Sequence, residues 1–410
     1  MTRSDTPVHL DSIYITYWSL RDPLCQSQSL PYLLGLTRDG YRIGLITFEQ
    51  PRWRMTREQE DTTRAELALK GIEWVPMTYH KRPSVFSTLY DIGAGSVRAA
   101  RLARQTQARL VHGRASVPSA MAALASRFAR TRLFVDADGP LSQEYLDAGV
   151  WAEGSLGHRL TAWGERRALE LADVVAVLTK HREREVRSLL DADTPVHVLP
   201  CAVDSSRFRP IPERRHALRE ELGLHGTVFV YAGKPGGWYA TDEMVAFLEA
   251  AKEVFTPLTF LVLTGEDPVA FAEPCKRAGI QLVTRSVATP DMPAYLSSAD
   301  VGLCFLHPFP SKLACSPIKL GEYLACGLPV VSTSGCGDYD SLIERESVGV
   351  VVPNSERAAY GAMAEKLARL LISPGLDQRC RAVALRAVGL DEVATPRYRT
   401  IYRSQIGPPG

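Results

Sequence analysis

Ser316-Pro-Ile-Lys-Leu-Gly-Glu-Tyr-Leu-Ala-Cys-Gly-Leu-Pro-Val-Val-Ser-Thr-Ser-Gly-Cys-Gly337 is the stretch on which the reading of the fold turns. Ser316 suits an N-cap and Pro317 the first helical position, where a missing N–H costs nothing. Gly327 is placed to end that helix in a left-handed conformation, and Leu328–Ser332 then reads as a short buried strand. Because the apolar run Val301–Leu306 comes just before, the helix is expected to open at the carboxyl end of a strand. Its free N–H groups and dipole favour an anion there. Lys319 lies in the first turn and can add a point charge on a phosphate. Glu322 follows one turn later, where a carboxylate can accept hydrogen bonds from two hydroxyls. These groups suit a nucleoside diphosphate and its ribose. The plain alternative is an ordinary strand–helix–strand unit with Glu322 on a solvated face.

Working outward, short β-branched runs alternate with amphipathic helical stretches along the whole chain. The first series of strands is Ser12–Tyr17, Ile43–Phe48, Ile72–Met77, Arg109–His112, Leu133–Val135, Val174–Leu178 and Val196–Leu199. The second is Val228–Ala232, Thr259–Leu263, Gln281–Thr284, Val301–Phe305, Pro329–Ser332 and Gly349–Val352. Helices are expected at Ser29–Thr37, Arg98–Gln107, Arg159–Leu171, Asp242–Lys252 and Ala358–Leu371. Two such series predict an α/β chain of two Rossmann-like, doubly wound domains. The break falls near Pro200–Pro212, which lacks periodicity.

Composition agrees. The chain has 410 residues and a formal net charge of +2, so bulk charge gives no support to nucleic-acid binding. Its eight cysteines include no CxxC pair, and several sit in apolar runs. That pattern predicts buried thiols in a reducing compartment, with neither disulfides nor zinc. No apolar run reaches membrane-spanning length, and the polar N-terminus carries no signal-peptide pattern. A soluble, cytoplasmic protein is expected.

The segment 316–337 resembles the donor-binding signature of family-4 retaining glycosyltransferases of the GT-B fold. Glu322 matches the second of that family's two motif glutamates, and Ala314 stands where the first would fall. The chain is most similar to members with a Ser-Pro-x-Lys-x-x-Glu-Tyr-Leu-Ala form. Val198–Pro210 is similar to the family's linker between domains, and Pro293–Leu303 to the elements before the donor motif. The resemblance implies the GT-B arrangement, two Rossmann-like domains facing across a cleft. It divides the chain into an acceptor domain, residues 1–203, and a nucleotide-sugar donor domain, 204–388. A tail helix, 389–410, returns to the first domain.

Candidate residues follow from both readings. Val230–Tyr239 follows a strand and contains Gly233, Gly236 and Gly237, which let backbone approach a phosphate, with Lys234 as the cation among them. Lys234 stands where the family places an Arg, and Trp238 or Tyr239 where it places a Lys. Lys319 is expected to supply the missing charge. Ser316, Ile318, Glu322 and the three glycines form the expected nucleotide-binding set, and Lys234, Lys319, Glu322 and His112 the expected catalytic one. A plain glycine-rich turn is the alternative for 233–237. In the first domain, Gln26, Ser27 and Gln28 are expected to line the cleft from the loop after the first strand. A plain surface loop is the rival reading. His112 ends a strand in Val111-His-Gly-Arg114, and the resemblance places a sugar-contacting histidine there. Arg114, Asp136 and Asp138 are expected at the acceptor side. An Asp-x-Asp such as Asp136-Ala-Asp138 also suits a metal–diphosphate site in another glycosyltransferase fold. No metal is expected here, because the pattern lies far from the Glu322 signature and a strand-end turn is its ordinary reading.

The resemblance implies a metal-independent, retaining hexosyltransferase that uses a nucleotide-sugar co-substrate, with UDP favoured over GDP, and no other cofactor. The acceptor is a hydroxyl of a glycan, a lipid-linked sugar or a small molecule. Arg98, Arg101, Arg104 and Arg109 form a basic stretch compatible with peripheral contact at the inner membrane, although such runs are usually solvated faces. Two rivals share the fold. A sugar-nucleotide epimerase would turn over donor without acceptor, and a non-catalytic scaffold, favoured only by Ala314, would not turn over at all.

Overall fold

The computed structural model describes residues 9–82, 84–354 and 356–409. They form two compact units, residues 9–200 with 394–409, and Cys201–Val393.

The first unit holds seven parallel strands: β1 (Ser12–Ile15), β2 (Ile43–Glu49), β3 (Ile72–Thr78), β4 (Leu110–Arg114), β5 (Arg132–Ala137), β6 (Val174–Val177) and β7 (Val196–Val198). Their order is β3-β2-β1-β4-β5-β6-β7, the doubly wound arrangement with its switch point between β1 and β4. The second unit repeats the scheme with β8 (Thr227–Ala232), β9 (Leu258–Leu263), β10 (Gln281–Arg285), β11 (Val301–Cys304), β12 (Val330–Thr333) and β13 (Gly349–Val352). Their order is β10-β9-β8-β11-β12-β13, and the switch point lies between β8 and β11. Central strands such as β1, β6, β9 and β11 are buried along their whole length. Helices covering both faces of a parallel sheet leave such strands no polar face, which is why they read as unbroken apolar runs.

The chain from Ala394 onward returns to the first unit as helix Thr395–Ile406. Tyr398 and Tyr402, one turn apart, project from one side of it and are buried, and Tyr398 stacks on Tyr32 of helix Leu30–Arg38 at 5.1 Å. Beneath them, Arg114 Nη1 pairs with Asp136 Oδ2 at 2.6 Å and donates to the Tyr398 hydroxyl at 3.1 Å. The Tyr398 hydroxyl donates in turn to Asp136. His112 Nδ1 meets the Tyr402 hydroxyl at 3.1 Å, and its ring stacks on Phe134 at 3.9 Å.

Burial pushes the Asp136 carboxyl up, but Arg114, His112 and Tyr398 outweigh it and hold it down to about 2. Burial lowers His112 against the pull of Asp136, so the imidazole is favoured neutral. This network corrects the expectation for His112, Arg114 and Asp136. All three are at most 3% exposed and are used in docking the tail helix, so they present no surface to a ligand.

The segment after β1 is also corrected. A helix does open at Ser29, as expected, but the stretch before it is not a loop. It forms a short helix, Pro23–Gln28, whose N-cap Asp22 accepts from the Leu24 N–H at 2.9 Å. Gln26 donates to the Leu20 carbonyl, and Ser27 to the Pro23 carbonyl. Gln28 is buried and accepts from Tyr32. Their polar groups are used locally, and only Gln26 and Ser27 reach the surface.

Candidate functional site

In the second unit, helix Ile318–Ala325 follows β11 through a single 3-10 turn, Pro310–Ala314. Pro317 is its N-cap, one residue later than expected. Ser316 does not cap the helix; its hydroxyl accepts from the Cys201 N–H at 3.1 Å. At the other end Gly327 takes φ +81°. Its N–H reaches the Leu324 carbonyl while that of Leu328 reaches the Tyr323 carbonyl, the paired bonds of a Schellman stop. Tyr323 is buried beside β11 because Gly302 has no side chain: a Cβ there would lie 2.3 Å from the ring. Its hydroxyl accepts from the Ala232 N–H at 2.8 Å, which ties the helix to the end of β8.

The turn leaving β8 is built for close approach. Gly233, Gly236 and Gly237 adopt φ of +139°, +75° and +66°. A Cβ on Gly236 or Gly237 would meet nothing within 4 Å, so these two face open space. A Cβ on Gly233 would lie 2.9 Å from Lys319 Nζ. Glycine turn and lysine, 86 positions apart in the chain, therefore meet at the carboxyl edge of the sheet. The Tyr231 hydroxyl donates to the Lys234 carbonyl at 2.6 Å and fixes the turn, and the Lys234 side chain is exposed.

Lys319 is the centre of the arrangement. It is 6% exposed, and its Nζ has no hydrogen-bond partner among the described residues. Its ammonium sits 3.6 Å from the Tyr239 ring centroid and 4.1 Å from that of Tyr231. Burial pushes the amine down to about 8, against the pull of neighbouring thiols and Glu322. Ring faces stabilise a cation but accept no conventional hydrogen bond, so this buried ammonium keeps its donor capacity for an anion. Glu322 is half-buried; loss of water pushes its carboxyl up to about 7, with Arg207 and Lys319 pulling the other way.

Three contributors were not singled out in the sequence. Arg207 lies in the linker-like stretch and acts on Glu322. Lys312, buried on the 3-10 turn, sets its Nζ 4.2 Å from the Trp238 ring. Tyr231 looks in the sequence like one more apolar strand residue. Trp238 and Tyr239 stand where the family carries a lysine; here their rings cover Lys312 and Lys319. Of the acceptor-side residues, Asp138 stays half-buried past the end of β5, its carboxyl pushed up to about 7 by burial. No group of three or more His, Cys, Asp or Glu suited to a metal occurs among the described residues. All eight cysteines are free thiols.

Residues 33–207 match the family model described as "Glycosyltransferase Family 4", and residues 226–373 the one described as "Glycosyl transferases group 1". The chain belongs to glycosyltransferase family 4. It is 28% identical over 239 residues to a GDP-mannose-dependent alpha-(1-6)-phosphatidylinositol monomannoside mannosyltransferase of Mycobacterium tuberculosis, a match covering 56% of this chain and 59% of that one. It is also 28% identical over 238 residues to an alpha-maltose-1-phosphate synthase of Mycolicibacterium smegmatis, covering 53% and 59%. The matches thus span about six-tenths of the length of these relatives. Among solved structures, Anabaena HepE in complex with UDP-glucose superposes with a TM-score of 0.71 at 14% identity, over 96% of this chain and 99% of that one. Sucrose-phosphate synthase of Thermosynechococcus elongatus gives 0.70 at 16%, over 97% and 99%. These likenesses establish the GT-B fold of this family-4 member.

Proposed function

We propose that the protein is a retaining hexosyltransferase whose second unit binds a nucleoside diphosphate sugar. The observation that supports this most is the buried, unpartnered Lys319 ammonium beside the Gly233 backbone. In this reading the diphosphate lies over the open glycines, takes the Lys319 ammonium and the first N–H groups of helix Ile318–Ala325, and is covered by the exposed Lys234 side chain. Glu322 accepts hydrogen bonds from hydroxyls of the ribose or the sugar.

In the reaction the bond from the anomeric carbon to the diphosphate oxygen breaks, and one from that carbon to the acceptor oxygen forms on the same face. The acceptor's proton passes to the departing phosphate. Charge develops on that phosphate, and Lys319 and Lys234 are already in place to stabilise it, which is the larger part of such catalysis. Fixed cations of this kind supply what a divalent metal supplies in other transferases, and the proposal needs no metal.

UDP is the nucleotide expected from the family resemblance, while the mannosyltransferase relatives are named for GDP-mannose. No side chain discussed above chooses between the bases, so both belong in the first assay. A lipid-linked sugar, as in those relatives' names, joins glycans and small molecules as the acceptor class. Eight free thiols support a reducing, cytoplasmic site of action. The test is incubation with UDP-glucose, UDP-galactose and GDP-mannose, with and without hexoside acceptors, followed by proton NMR of the anomeric signals. Nucleotide release with an axial anomeric product from an axial donor supports the reading. Epimerised donor without acceptor, or no turnover of any donor, overturns it.

A further inference from the structure

The carboxyl ends of β1 and β3 carry a side-chain set that the donor site does not use. Asp91, on helix Ser84–Thr106, is 1% exposed. Its carboxylate accepts from the Tyr17 hydroxyl at 2.6 Å, the His80 N–H at 3.0 Å and His80 Nδ1 at 2.6 Å. Tyr17 lies two residues beyond β1 and His80 two beyond β3. A carboxylate can only accept here, so Nδ1 carries the proton and Nε2 is the nitrogen left to meet a ligand.

His80 itself is exposed: 44% of its side chain is open to water while its orienting partner is buried. Tyr90 stands edge-on to the imidazole, centroids 5.1 Å apart at 89°. Phe86, one turn earlier on the same helix face, is 71% exposed and Tyr90 64%. A loop needing only a tether would be held by the backbone bond to Asp91. A locked imidazole beside one exposed ring, with a second exposed ring one helical turn from the first, on the ligand-binding edge of a doubly wound sheet, is more than a tether requires.

We infer that His80, Tyr90 and Phe86 form the acceptor subsite, and that the acceptor is a hexopyranoside. A pyranose has an apolar C–H face and a rim of hydroxyls. The face suits the exposed rings of Tyr90 and Phe86, and one hydroxyl donates to His80 Nε2. Asp91 is a positioning residue, acting through the imidazole. The inference rests on the glycosyltransferase reading, and it puts the acceptor site at β1 and β3, since Arg114 and Asp136 are buried.

The test is NMR titration of methyl α-D-gluco-, galacto- and mannopyranoside into the protein, with UDP and GDP affinities measured on the same samples. The expected result is that at least one hexoside binds and shifts the His80 imidazole signals. His80→Phe, which keeps a ring beside Tyr90, then weakens that hexoside about tenfold, equivalent to about 1.4 kcal/mol. Asp91→Asn weakens it similarly and moves the His80 nitrogen shifts, a readout that altered folding alone does not imitate. Unfolding temperatures check the fold of both variants, and nucleotide affinity stays at the wild-type value. Nucleotide binding with no hexoside binding, or His80→Phe binding hexoside like the wild type, overturns this inference alone. Binding of neither ligand class overturns the donor-site reading with it.

Discussion

Replacing Lys319 by Met separates a lysine kept for a ligand from one kept for the fold. Burial holds this amine at about 8 instead of its ordinary 10.5. At 1.36 kcal/mol per pH unit, that is about 3 kcal/mol against the charged form in the folded protein at neutral pH. Contact with the Tyr231 and Tyr239 rings returns about 1–2 kcal/mol. Methionine, similar in length and uncharged, escapes the penalty and still packs between the rings. Lys319→Met is therefore expected to leave the unliganded protein as stable as the wild type or more stable by about 1–2 kcal/mol.

The sign can be checked with pH. A lysine whose folded value is depressed costs its full penalty below about 8 and progressively less up to 10.5, because the unfolded chain binds the extra proton in that window. The variant's gain is thus present at pH 7 and fades between about 8 and 10.5. Nucleoside diphosphate binding moves oppositely: losing a charge-assisted contact costs about 1.5–3 kcal/mol, or more than tenfold. Urea unfolding and calorimetric titration of UDP and GDP read the two effects. A variant that loses more than about 1 kcal/mol of stability and binds nucleotide like the wild type would refute the reasoning.

Arg114→Met is expected to destabilise the first unit by about 3–5 kcal/mol in urea unfolding, because it leaves the Asp136 carboxylate buried without its cation. Nucleotide affinity of the folded fraction should not change; wild-type stability with lost activity would instead return Arg114 to the ligand surface. Wild-type nucleotide affinity is expected to fall about tenfold from pH 7 to pH 9, as Lys319 loses its proton in the free protein. Calorimetry across that range with wild type and Lys319→Met checks it, since the variant should show no such fall.

The strands were legible because a parallel sheet covered on both faces leaves no polar positions along β6, β9 or β11, and an uninterrupted apolar run is hard to mistake. Helix limits were less so. The long helix begins at Ser84, well before the expected Arg98, since its first turns carry the exposed Phe86 and Tyr90 and lack an amphipathic pattern. Lys319, Glu322 and Gly233 stood out because they lie just past the carboxyl edge of the sheet, Gly233 leaving β8 and the other two in the helix that follows β11. His112, Arg114 and Asp136 looked like ligand residues for the same reason. Their partners Tyr398 and Tyr402 lie up to 290 residues away, and no local pattern announces that pairing. Arg207 and Lys312 were hidden likewise: one lies in the stretch joining the units and the other on a single 3-10 turn, and only tertiary packing brings them to the site.

Calorimetric titration of UDP and GDP, without added metal, into wild type and Glu322→Ala tests the central claim most directly. The account predicts that one nucleotide binds the wild type at micromolar affinity and that the variant loses about 1–3 kcal/mol, the cost of hydrogen bonds to a charged group left unmade. No binding of either nucleotide, or equal binding by Glu322→Ala, would contradict it.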